Sequence, residues 1–172
     1  RVAQLFGLYP HIKAVPMRGN LQTRLEKMKE QELAGIILAA SGMIRMGYID
    51  QIQDYISLDH FVPAVGQGYL GITGRKEDSF EFLSNWQDAL VWTKMTALRT
   101  MLVQLEGGCS VPFGAAWNGD HLNVFLSDLA GEKKIQKKIP FHESHQKTVD
   151  QMLNELYAEG AKDIIERIRS GR

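Results

Sequence analysis

The residue types best suited to chemistry in this chain are a single thiol and a small set of arginines. Cys109 is the only cysteine, and it follows Gly107 and Gly108 in the stretch LEGGCSVPFGA. Two glycines supply backbone freedom and no side-chain cover, so the sulfur can project from a loop as a covalent attachment point. A solitary thiol buried as a small apolar group is the competing reading, and burial is the usual place of a free cysteine. Arg18 and Arg24 bracket the start of a helix, with Gly19 turning the chain between Arg18 and Asn20. Free backbone N–H groups at such a start favour an anion, and guanidinium forks bind carboxylates in a bidentate way. Arg45, at the end of the next short helix, and Arg1 would join this cradle, because loops at one edge of a parallel sheet meet in space. Four solvated surface charges remain the competing description.

Other motifs carry less. Gly66-Gln67-Gly68-Tyr69-Leu70-Gly71 spells G-x-G-x-x-G, but a dinucleotide fingerprint needs a helix opening at the third glycine, and Ile72-Thr73-Gly74-Arg75 does not offer one. His142 and His145 stand three apart with no cysteine or carboxylate partner at metal-binding spacing, so no metal site is expected. Trp86, Trp92 and Trp117 read as packing residues. Lys133, Lys134, Lys137 and Lys138, interleaved with Ile135 and Ile139, read as the charged face of an edge strand.

The elements that must hold these residues follow from periodicity and punctuation. Residues 1–9 read as helix stopped near Tyr9-Pro10, and residues 12–17 as a short strand. Asn20 is a good N-cap for a helix presenting Leu21, Leu25 and Met28 on one face. The apolar run Ala34 to Ala40 reads as a buried parallel strand, which completes a βαβ unit. A short helix, Ser41 to Met46, ends at Gly47; residues 62–65 and 69–73 read as strand pieces, and residues 74–78 as a linker. A stripe through Val91, Met95, Leu98, Leu102 and Leu105 leads to the cysteine loop. Residues 113–117 and 121–126 flank Asn118-Gly119, a strong hairpin signal, and residues 134–141 make a third antiparallel strand. Two amphipathic helices close the chain, one through Val149, Met152, Leu153 and Leu156 up to Gly160, the other with Ile164, Ile165 and Ile168. The fold class expected is α/β, a partial lobe like that of periplasmic binding proteins, followed by a small α+β domain with a three-stranded antiparallel sheet.

Composition bounds the function. Of 172 residues, 44% are hydrophobic and 23% charged, as in a soluble globular protein. Lys plus Arg equals Asp plus Glu at 20 each, so net charge points to neither nucleic acid nor an acidic membrane. Up to Tyr48, however, seven basic residues face three acidic ones, a local hint of an anionic ligand. No apolar run reaches the roughly 18 residues that span a bilayer, and one cysteine fits a reducing compartment. Arg1-Val2-Ala3-Gln4-Leu5 already reads as mid-helix, so the chain is expected to be part of a longer protein.

Four motifs, RGNLQTRL at 18–25, IILAASGMIRMG at 36–47, VPAVGQGYLGI at 62–72 and LEGGCSVPFGA at 105–115, together resemble the porphobilinogen deaminase (hydroxymethylbilane synthase) family over nearly the whole chain. The resemblance implies a transferase of haem biosynthesis that condenses four porphobilinogen molecules into hydroxymethylbilane with loss of ammonia. Porphobilinogen and the growing oligopyrrole would be its partners. It implies a dipyrromethane cofactor held by Cys109 through a thioether, a bond suited to a soft thiolate nucleophile. It gives Arg1, Arg18, Arg24 and Arg45, with Gly19, as the cofactor-binding set for acetate and propionate groups, and places Gln67 near the site.

The resemblance further implies residues 1–62 as most of domain 2, residues 63–78 as a return strand of domain 1 with a linker, and residues 79–172 as the cofactor-carrying domain 3. The catalytic aspartate of domain 1 would then lie outside this chain, which alone would be inactive. The complete protein is expected to be a cytoplasmic monomer, or to sit in an organelle stroma or matrix. Leu98 stands where the family usually has a glutamate, and Gln104 where it commonly has an arginine. A non-catalytic module binding a carboxylated ligand, either a degenerate paralogue or a sensor domain, is the alternative.

Overall fold

The computed structural model describes residues 1–105 and 111–171. They divide into two units, Arg1–Ile12 with Leu58–Arg172, and Lys13–Ser57.

The larger unit is built on an antiparallel sheet in the order β1-β2-β3, with β1 at Phe113–Asn118, β2 at His121–Ser127 and β3 at Lys134–Pro140. The pairing Asn118↔His121 makes Gly119 and Asp120 the two loop residues of the first hairpin, one place later than the Asn-Gly signal suggests. Gly119 has φ +59, the positive φ that a two-residue hairpin loop requires. Three helices cover one face: α4 (Ala89–Gln104), α5 (His145–Ala158) and α6 (Ala161–Arg169). Leu122, Val124 and Leu126 of β2 meet Leu98, Met101, Val149, Met152 and Leu156 in one core. Alternation puts Asn123 and Phe125 on the other face, yet they are only 2% exposed. That face is covered by the chain returning at residues 58–63 and by α1 (Val2–Leu8).

Asp59 fastens the returning chain. Its carboxylate accepts from the Asn123 amide at 2.8 Å, from Lys138 Nζ at 3.0 Å and from the Asn118 amide at 3.3 Å. Its carbonyl accepts from Gln136 Nε2 at 2.7 Å. The Asn123 amide, and after it the Lys138 ammonium, hold the Asp59 carboxyl below the usual carboxylate range. A carboxyl whose pKa is depressed on folding contributes stability that is present above its unfolded value, about 4, and lost as pH falls through the lower folded value. Melting wild type and Asp59→Asn from pH 6 to pH 2.5 should therefore show a gap that closes only at the acid end. A gap constant over that range would mean that the carboxylate charge plays no part in the fastening.

The lysines of β3 have separate partners. Lys137 shares the inner face with Ile135 and Ile139, and there it is met by Glu155 of α5 at 2.9 Å and by Glu159, which caps the end of that helix, at 2.5 Å. Lys134 donates to the Gly7 carbonyl of α1.

In the smaller unit, α2 (Leu21–Glu30) starts at Asn20, whose side chain accepts from the Thr23 backbone N–H at 2.8 Å, and Leu25 is its buried residue. α3 (Ala40–Arg45) follows, and Gly47 at φ +77 turns the chain away after it. The expected strands are not formed among the described residues: 12–17, 34–40, 62–65 and 69–73 carry no ladder, and Ala40 opens α3 instead. An apolar run identifies residues fit for a buried strand, but a strand exists only where neighbours take its N–H and C=O groups. The architecture of the described residues is thus helices plus a three-stranded antiparallel sheet, consistent with an α/β class, and it does not show the βαβ lobe.

Candidate functional site

Within the smaller unit, the turn Arg18-Gly19-Asn20 and the first turn of α2 form one compact polar corner. Gly19 has φ +128, and a Cβ there would come within 3.0 Å of the Thr23 methyl, so the corner requires glycine. Arg24 Nε donates to the Gly19 carbonyl at 2.7 Å, and Lys27 Nζ reaches the Arg18 carbonyl at 3.3 Å. These bonds bind Arg24 and Lys27 back onto the loop that carries Arg18, concentrating cationic groups at a helix start. Arg18 and Arg45 are exposed, and Arg45 closes the last turn of α3 in the same unit. A ligand bearing several carboxylates fits this donor set, since each guanidinium offers paired N–H groups to a carboxylate.

In the larger unit, the structure brings together Arg1 and Gln67, which are 66 residues apart: Arg1 Nη2 donates to Gln67 Oε1 at 3.0 Å. The turn holding Gln67 runs from Gly66 at φ +82 to Gly68 at φ +91, and no helix opens at Gly71. Three residues after Arg1 comes Gln4, 5% exposed. Its amide pairs with the backbone of Val62 in both directions, Nε2 donating to the Val62 carbonyl at 2.7 Å and Oε1 accepting from the Val62 N–H at 2.8 Å. Sequence reasoning did not single out Gln4, because a glutamine on a helix is usually solvated. Its only signal is the i, i+3 spacing from Arg1, which puts both on one face.

Cys109 lies outside the described residues, as do Gly107 and Gly108, so the thiol reading of the loop gains no geometry here. The residues on either side of that stretch are described. On the upstream side, the Tyr157 hydroxyl donates to the Gln104 carbonyl at 2.8 Å, satisfying one of the last carbonyls of α4. Leu98, in the position where a glutamate was expected, is fully buried in the core, a setting in which an unpaired carboxylate would be costly. On the downstream side, Val111 and Pro112 line a cleft of about 490 Å³ together with Arg1, Gln4, Val62 and Phe113.

The tryptophans divide. Trp117 packs edge-on against His145, with ring centroids 4.7 Å apart, whereas Trp86 is 77% and Trp92 63% exposed; these two are not core residues of this chain. Burial, with Lys94 adding to it, pushes the His145 imidazole below the usual histidine value. Among the described residues no helix is long and apolar enough to cross a membrane.

Comparison with known proteins adds a lineage. The family model described as "Porphobilinogen deaminase, dipyromethane cofactor binding domain" matches residues 1–81. The porphobilinogen deaminase of Carboxydothermus hydrogenoformans is 39% identical over 98% of this chain and 57% of the relative. That of Halalkalibacterium halodurans is 37% identical over 99% of the chain and 57% of the relative. For that of Cytophaga hutchinsonii the figures are 39%, 99% and 58%. The chain thus spans a little over half the length of the curated relatives it matches.

Proposed function

Because the chain belongs to the porphobilinogen deaminase family, we propose that it is part of an enzyme that condenses four porphobilinogen molecules into hydroxymethylbilane, a transferase step of tetrapyrrole synthesis. The observation that carries this reading furthest is the cleft shared by the Arg1 end of α1 and the residues that directly follow the Cys109 stretch. A primer attached shortly before Val111 would then have the Arg1 guanidinium lining the same cleft.

The group such a site would hold is dipyrromethane, which supplies a two-ring primer whose terminal pyrrole carbon accepts the next unit. Each condensation breaks the aminomethyl C–N bond of porphobilinogen and forms a C–C bond; ammonia leaves and the terminal ring gives up a proton. Cys109 serves as tether and takes no part as acid or base. Arg18 and Arg24, gathered at the Gly19 corner, clamp carboxylates of the primer and growing chain, as does Arg45. Arg1, oriented by Gln67, is the clamp of the larger unit. Positive charge held in place beforehand binds a polycarboxylate with little reorganisation.

The domain division that accompanies this reading is residues 1–62 as most of a second domain, 63–78 as a strand returning to the first, and 79–172 as the third. In the complete protein the stretches 12–17 and 34–39 would gain ladder partners, in a lobe like that of periplasmic binding proteins. The chain by itself should be inactive, and the complete enzyme should work as a monomer in the cytoplasm or in an organelle stroma or matrix.

Arg18→Leu in the complete protein tests the clamp. It should block primer loading or chain growth, cutting turnover by about a hundredfold or more, because a carboxylate partner is lost where charge-assisted bonds are strongest. Steady-state turnover together with intact mass measures both steps, and unchanged turnover with a full primer load would overturn the assignment.

A further inference from the structure

Gln4 is a buried side chain with both halves of its amide committed to one residue of a distant segment. Its bonds to Val62 reproduce the two-way pattern that a neighbouring strand would offer. Such an amide specifies register: sliding α1 along the 62–67 segment would leave a buried N–H, a buried carbonyl and the amide unpaired together, a costly arrangement. The same segment is held from its other side, since the Pro63 carbonyl accepts from the Ala115 N–H at 3.1 Å. A Cβ on Gly114 would fall 2.6 Å from the Val62 carbonyl oxygen, so strand β1 leaves no slack beneath it. Residues 62–63 are therefore fixed between β1 and α1, and Gln4 transfers that fixity to the helix. Arg1 lies one turn before Gln4 and Gln67 five residues after Val62, and these two close the second polar link at 3.0 Å.

We infer that Gln4 is a positioning residue for the Arg1 clamp: it sets the register of α1 on the 62–67 segment, so that the Arg1 guanidinium arrives at Gln67 with a fixed orientation. This rests on the reading of Arg1 as a carboxylate clamp. Gln4 does not touch the ligand, and its effect reaches the ligand only through Arg1.

The test is a double-mutant cycle in the complete protein, reading KM for porphobilinogen and the primer-loaded fraction by intact mass. Gln4→Met fills a similar volume without either hydrogen bond, and Arg1→Leu removes the clamp. Gln4→Met should raise KM about tenfold, the scale of losing paired buried hydrogen bonds. In the Arg1→Leu background the same change should add less than about twofold, because two residues acting through one link are not additive. Equal effects in both backgrounds, with Arg1→Leu itself impaired, would overturn the positioning role and leave the clamp standing. An unaltered KM in Arg1→Leu would overturn the clamp and this inference with it. Should Gln4→Met not fold, Gln4→Glu takes its place: its acid form can both donate to the Val62 carbonyl and accept from the Val62 N–H. KM should then recover toward wild type as pH is lowered, and a pH profile parallel to that of wild type would count against the inference.

Discussion

Cys109→Ser in the complete protein should give a folded chain whose intact mass lacks any two-pyrrole adduct, and turnover should fall to background. A stable bond to an electrophilic methylene is favoured by a soft, ionisable nucleophile, and a thiol with pKa near 8.5 is a few per cent thiolate at neutral pH. A serine hydroxyl in the same place has essentially no ionised form at neutral pH. On the proposed reading the wild-type thiol should correspondingly resist an alkylating reagent once the protein is assembled, because the thioether would occupy its sulfur. A serine variant that purified fully loaded would show that the primer is anchored elsewhere. A wild-type thiol alkylated in full would favour a module that binds a carboxylated ligand reversibly.

The second large effect concerns the seat of α1. Gly131 has φ +75, and a Cβ there would fall 2.2 Å from the Ala3 carbonyl oxygen and 2.9 Å from the Gly7 nitrogen. Both neighbours are backbone, so no side chain can swing aside. Gly131→Ala should destabilise the complete protein by about 2–4 kcal/mol, combining the left-handed backbone cost with the displacement of a helix. Gly119→Ala is the matched control: φ is +59 and nothing lies within 4 Å, so only the backbone cost of about 1 kcal/mol remains. Equilibrium urea unfolding of the pair decides the matter. Equal losses would mean that α1 does not sit against this turn.

Much of the larger unit was legible in the sequence because its signals are local. The hairpin, the third strand and α5 with its buried Val149, Met152, Leu153 and Leu156 follow from alternation and from the 3.6-residue period. The stop at Gly160 is confirmed by φ +91. Helix α4 was legible as a helix but not as a face. Val91 is 43% exposed, whereas Ala97 and Met101, outside the expected stripe, are buried; a helix apolar on nearly every side does not announce which side packs. The strands expected at 12–17 and 34–40 fail for a different reason, since composition cannot supply a pairing partner. At the site, the corner of Arg18, Gly19 and Arg24 was visible because arginine, glycine and an N-cap are each informative residue types. The amide of Gln4 and the fastening at Asp59 were not. Both depend on partners about 60 or more residues away, and a lone glutamine or aspartate says nothing about which carbonyl or amide it will meet.

The seat of α1 also sets an order of events during synthesis. The Gly7 carbonyl receives its lysine from a residue 127 positions later in the chain. At the usual ribosomal pace of 5–20 residues per second, that partner appears roughly 6–25 seconds after α1 itself has been made. For nearly all of that interval the helix lacks the Gly131 turn and the completed sheet that seat it, and a helix without such packing is marginal in water. The Arg1 and Gln4 face therefore exists only after the three-stranded sheet has formed. A nascent chain halted before β3 should display this stretch as unfolded peptide, open to chaperones and proteases.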